Sequence, residues 1–172
     1  NPNLLRAIAM EGHTIASHTR SHIPLANADP SKKFYTELTD AQVKALQSDL
    51  LASYQDLQEV VGDISINGRP ALSRLFRPPT LAVSKAGLYT VFDCGFTYSV
   101  SGSITTQDYE AKDAQTLVNL MKRNTKSGAV FVMHFSDNSV HTAAALDLYL
   151  SEMESRSGSQ TYQFVSLSEV LR

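Results

Sequence analysis

The sequence predicts an α/β fold in which parallel strands form a sheet or barrel covered by helices. Three observations carry that prediction. Helical apolar spacing alternates with short apolar runs along the chain; the runs are apolar almost throughout; and the polar residues that break the pattern sit where the runs end. Parallel strands need helical crossovers, so both their faces are buried, and ligands gather at their carboxyl ends.

The elements follow in order. Leu4, Leu5, Ile8 and Ala9 share one face of a helix over residues 3–10, which Gly12 stops before a short strand in "HTIASH". After a loop with Pro24 and Pro30, Thr39 and Gln42 form a capping-box pattern. It opens a long helix with Val43, Leu46, Leu50, Tyr54 and Leu57 on its apolar side, closed by Gly62. "RLFR" before Pro78 and Pro79 reads as a strand ending in a rigid turn, "SKAGLYTVFDCG" as a short helix and "FTYSV" as a strand. A helix over 113–126, a strand in "AVFVMHF", a helix over 139–155 and a last strand in "YQFVSL" complete the alternation.

Composition narrows the function classes. The 172 residues predict one domain with a real core, and 42% hydrophobic with 19% charged residues is a globular profile. A formal net charge of -2 leaves no basic stripe to neutralise a phosphate backbone, which argues against a nucleic-acid partner. No apolar stretch approaches the roughly 20 residues of a membrane span, and "NPNLLRAIAMEGH" lacks the layout of a secretory signal, so any signal is expected upstream or removed. The lone Cys94 among apolar neighbours reads as a small buried hydrophobe.

Chemistry-bearing residues cluster at the strand ends. His18 and His22 are four apart, a spacing that on a helical turn aims both rings at one cation; taken alone, a bare H-x-x-x-H is more often two polar loop residues. His13, beside Ile15, reads as a packed strand residue, and His141 as a solvent-facing residue of a first helical turn. His134 ends an apolar strand, where it is either a fully hydrogen-bonded core histidine or a general acid or base. Asp108 can orient it, and Arg77 can pair a carboxylate or fix a substrate; both are also ordinary structural charges.

Taken in order, "GHTIASHTRSH", "RPP" at 77–79, "TTQDYE", "VFVMH" and "YQFVSLSEVL" resemble the polysaccharide deacetylase family, the NodB homology domain of carbohydrate esterase family four. The resemblance spans residues 1–172 and is most specific in the histidine segment. It implies a distorted (β/α) barrel of parallel strands with outer helices, represented here without its first one or two βα units, as the C-terminal portion of a single domain.

The resemblance also implies roles. His18 and His22 would be metal ligands, the metal being zinc, with cobalt, nickel or manganese as alternatives. Arg77, Pro78, Pro79 and Thr80 stand at the R-x-P-Y motif, with threonine for tyrosine, and the backbone N–H of Thr80 would serve an oxyanion hole. At the D-x-x-D-W motif, Thr105 replaces the first aspartate, Asp108 matches the second and Tyr109 stands for the tryptophan, as an aromatic wall for the acetyl methyl. Val132, Met133 and His134 match L-x-H, making His134 the general acid oriented by Asp108.

One motif is absent from these residues: T-F-D-D-G, which in the family supplies the general base and the third metal ligand. The expectation is therefore a metal-dependent carbohydrate deacetylase whose Asp-Asp pair comes from a preceding segment or a second chain. Its substrate would be an acetylated glycan such as peptidoglycan or chitin, and its location extracellular, periplasmic or at the cell envelope. An O-acetyl esterase of the xylan type and a catalytically inactive carbohydrate-binding relative are the alternatives.

Overall fold

A computed structural model describes residues 1–28, 34–156 and 161–171. The chain packs as two compact units, residues 1–101 with 165–172 and residues 102–164. Among the described residues no helix is long and apolar enough to cross a membrane.

The first unit is organised by its longest helix. Helix α1 spans Pro2–Met10, strand β1 Ile15–Ser17 and helix α2 Asp40–Val61. The Thr39 hydroxyl accepts from the Gln42 N–H and the Gln42 side chain reaches back to the Thr39 backbone, so the expected capping box is formed. A hairpin of β2, Ser65–Ile66, and β3, Arg69–Pro70, then leads into β4, Leu72–Phe76. Helix α3, Lys85–Asp93, capped by the Ser84 hydroxyl, and β5, Tyr98–Ser99, follow.

The sheet order is β1-β4-β5, all parallel, with Ile15 opposite Leu72 and Phe76 opposite Ser99. Leu25, Leu46, Leu50, Phe76, Val91 and Phe96 form one core cluster; Ala9, Ile15, Val61, Ile64, Ala71 and Leu72 form another. Helix α3 lies so close to residue 25 that a Cβ on Gly87 would collide with the Leu25 carbonyl oxygen, which is why glycine stands there. Cys94 is free and buried, and burial pushes its thiol pKa up, as expected of an inert core cysteine.

In the second unit β6, Ile104–Thr105, pairs in parallel with β7, Phe131–Val132. Helices α4, Ala114–Asn124, and α5, Thr142–Glu154, pack through Leu117, Val118 and Met121 against Ala145, Tyr149 and Met153. The apolar run "AVFVMHF" forms only two ladder residues. Its partner leaves: after Thr106 donates to the Val132 carbonyl, Gln107 turns left-handed at φ 51° and the chain departs.

Three local expectations are corrected. "YQFVSL" is not a strand; residues 161–166 are irregular and α6 starts at Leu167, spanning Leu167–Val170. The stretch is fixed by side chains instead, Phe164 lying edge-on to Tyr149 at 6.2 Å and the Ser166 and Thr14 hydroxyls bonding at 2.9 Å. His13 precedes β1 and is exposed, because the ladder starts only at Ile15. His141 is the half-buried residue preceding the first turn of α5.

Candidate active site

Each unit holds its polar constellation at the carboxyl ends of its own parallel strands. In the first unit these ends are His18, directly after β1, and Arg77, directly after β4. The pairing of the two strands continues into them, since Arg77 N–H donates to the Ser17 carbonyl at 3.1 Å.

That continuation fixes the His18 ring. Its Nε2 lies 2.9 Å from Arg77 Nη2, and its Nδ1 lies 2.6 Å from the Arg77 carbonyl oxygen. A guanidinium only donates, so Nε2 accepts and the proton sits on Nδ1, which donates to the carbonyl. This is the tautomer of a histidine that offers Nε2 to a metal while a backbone carbonyl orients its other nitrogen. Burial lowers the Arg77 pKa from its ordinary value.

His22 reaches the same place by a different route from the one expected. Residues 18–22 form no helical turn; Thr19 and His22 adopt left-handed φ values of 60° and 55°. Histidine tolerates that region better than most residues, whereas a β-branched threonine is an outlier costing roughly 1–3 kcal/mol that surrounding bonds must offset. The two rings end with centroids 5.1 Å apart and planes 75° from each other. Two imidazoles on one tetrahedral ion stand about 5 Å apart by centroid, given metal–nitrogen distances of about 2.0–2.1 Å. Donor type, the His18 tautomer and ring separation all fit a zinc-like divalent cation. Among the described residues no group of three or more His, Cys, Asp or Glu side chains is placed to hold one, so a cation at this pair would need a further ligand.

Thr80 lies three residues beyond Arg77 in the short 3-10 turn Pro79–Leu81, with Thr80 and Leu81 both left-handed at φ 55° and 59°. Pro78 and Pro79 stiffen the approach, and N–H groups of a first helical turn have no partner within the helix. That leaves the Thr80 N–H directed by backbone shape alone, whatever its side chain.

The second unit holds an acid–histidine pair. Asp108, 1% exposed, follows β6, and His134 follows β7. The Asp108 carboxylate accepts from His134 Nδ1 at 2.7 Å, from the His134 backbone N–H at 2.8 Å and from the Thr142 hydroxyl at 2.7 Å. Burial raises the Asp108 pKa, but the bonds from the His134 ring, its N–H and Thr142 outweigh burial and hold the carboxyl below its usual range. A buried carboxylate at Nδ1 orients the ring and turns Nε2 away from it. Tyr109 stands edge-on to this ring, with centroids 5.1 Å apart.

The structure thus joins His18, His22 and Arg77 in one unit and Asp108, Tyr109 and His134 in the other. Thr142 and Asp49, the latter accepting the N–H groups of Arg20 and Ser21, were not singled out by sequence. A threonine opening a helix and an aspartate on a helix surface carry no signal of their partners.

The sequence pattern that defines the polysaccharide deacetylase family matches residues 1–99, more than half of the chain. The chain belongs to the polysaccharide deacetylase family. It is 28% identical over 174 residues to a peptidoglycan-N-acetylglucosamine deacetylase of Bacillus cereus, covering 100% of this chain and 70% of that one. A peptidoglycan-N-acetylglucosamine deacetylase of Listeria monocytogenes is 24% identical over 170 residues, 99% of this chain but only 30% of that protein. A family 4 acetyl xylan esterase from Clostridium thermocellum, solved with a cobalt ion, superimposes with a TM-score of 0.70 at 23% identity, over 99% of this chain and 69% of that one. The likeness shows the fold class to be the parallel β/α arrangement of this polysaccharide deacetylase family.

Proposed function

We propose that these residues serve the metal-dependent hydrolysis of N-acetyl groups on a carbohydrate polymer, with peptidoglycan favoured by the two bacterial relatives that act on it. The observation that carries the reading is the buried Asp108 carboxylate on His134 Nδ1, together with a His18 whose Nδ1 donates to the Arg77 carbonyl and so keeps its accepting lone pair on Nε2. In this reading His18 and His22 hold a divalent cation, with the remaining ligand and the general base taken from an aspartate pair outside residues 1–172. When bound, such a cation polarises the acetyl carbonyl and lowers the pKa of a water.

The chain's own groups do the rest. Thr80 N–H donates to the carbonyl oxygen as it gains charge, a contact of the kind worth about 3–4 kcal/mol in a transition state. His134, oriented by Asp108, acts as the general acid and gives an Nε2 proton to the amide nitrogen as the carbon–nitrogen bond breaks, releasing acetate and a free amino sugar. Tyr109 lines the acetyl methyl, and the backbone carbonyl of Arg77 orients the His18 ring through Nδ1. The site of action is the cell wall, outside the membrane.

Acetate release from N-acetylglucosamine oligomers, with O-acetylated xylan as the second substrate, tests the proposal. His134→Ala is expected to lower kcat on the amide at least about 10²-fold. It should cost less on the ester, whose leaving oxygen needs a weaker acid. Unchanged kcat on the amide refutes the role of His134, and turnover of the ester alone overturns the choice of substrate.

A further inference from the structure

The loop between the two histidines has no helix or ladder to shape it, yet it carries left-handed residues at Thr19 and His22. What grips it is α2. The N–H groups of Arg20 and Ser21 both donate to the Asp49 carboxylate, at 2.6 and 3.0 Å. Two helical turns further along the same face, Asp56 pairs with Arg20 Nε at 2.8 Å. The Thr19 hydroxyl accepts from Ile23 N–H at 3.0 Å and closes the loop from inside.

A carboxylate suits this task because it only accepts, so one group satisfies two adjacent amides and fixes their orientation. An amide side chain offers one accepting oxygen and turns a donor toward the second N–H. Both gripped amides lie between His18 and His22, so the grip sets how the backbone turns from one ring to the other.

We propose that Asp49 is a positioning residue for metal binding, fixing the separation of the His18 and His22 rings through the backbone between them. The inference rests on the reading of that pair as metal ligands. Outer contacts of this kind change metal affinity without touching the metal.

The test is titration of the protein, Asp49→Asn and Asp49→Glu with cobalt chloride. Affinity and the visible absorption of bound cobalt are followed, with amide hydrogen exchange at Arg20 and Ser21 on the same samples. Asp49→Asn, nearly isosteric, is expected to bind cobalt about 10–100-fold more weakly with an altered absorption and faster exchange at both amides. Asp49→Glu, which restores two acceptors, should recover part of the affinity. Wild-type affinity and absorption in Asp49→Asn would overturn the proposal. So would weakened binding with exchange at Arg20 and Ser21 unchanged, because the grip would then be intact. Two imidazoles without a third protein ligand bind cobalt weakly, so the titration is carried to high cobalt concentration; if the unsubstituted protein then shows no change in visible absorption, the metal reading of the histidine pair fails first, and the proposal with it.

Discussion

Asp108 takes two hydrogen bonds from a single residue, His134, one from the ring and one from the backbone N–H. The carboxylate therefore fixes both where the histidine sits and how its ring turns, which a ring contact alone would not do.

The first prediction concerns pH. The folded pKa of Asp108 lies below its ordinary value, so the carboxylate's contribution to stability is complete above the unfolded value of about 3.9 and is lost as pH falls through the folded one. Asp108→Asn should be destabilised by about 3 kcal/mol near neutrality, the lower end for breaking a buried pair. The gap in melting temperature between the two proteins should then close below about pH 4. A gap that stays constant down to the acid limit would remove the carboxylate from this account.

Thr142→Val tests the third bond. It removes the hydroxyl from Asp108 at nearly constant volume and should cost about 1–2 kcal/mol, within the range for a hydrogen bond to a charged group. It should also raise the Asp108 pKa, read from carboxyl chemical shifts across a pH series. An unmoved Asp108 would show that Thr142 merely packs.

If His18 and His22 hold a cation as proposed, Arg77 and that cation compete for one lone pair. Because Arg77 Nη2 donates to His18 Nε2, cation binding there must release the guanidinium. Arg77→Met should therefore bind cobalt several-fold more tightly by calorimetry, since a competing donor and a repelling charge are both gone. Weaker binding would mean that the guanidinium holds the ring in its ligating pose.

Gly87→Ala probes the close approach of α3. The new Cβ would meet the Leu25 carbonyl, which is backbone and cannot swing aside. A loss of about 1–3 kcal/mol in denaturant unfolding is expected, the range for an overpacked site, although alanine is the better helix former. A neutral or stabilising result would show that α3 shifts freely.

The helices and their caps were legible in the sequence because their signals are local. Thr39 and Gln42 sit three apart in the chain and meet in the structure, and apolar spacing placed α2 and α4 close to their true bounds. The strands were legible in position but not in length, since a ladder ends where its partner leaves, as at Gln107. The candidate site residues stood out as polar groups after apolar runs. Their geometry did not, because the left-handed backbone at Thr19 and His22 depends on Asp49, some 30 residues away, and nothing at Asp49 announces its partners.

The parallel pairing of β1 with β4 has a kinetic consequence. His18 and Arg77 are 59 residues apart, and the bond between them forms only after α2 has crossed back and the chain has closed that loop. Non-local closure of this kind is slow relative to helix formation. The His18 ring should therefore acquire its final environment late in refolding, after the helical signal has recovered. A spectroscopic probe at that ring would report arrival at the native state, whereas circular dichroism would report an earlier event.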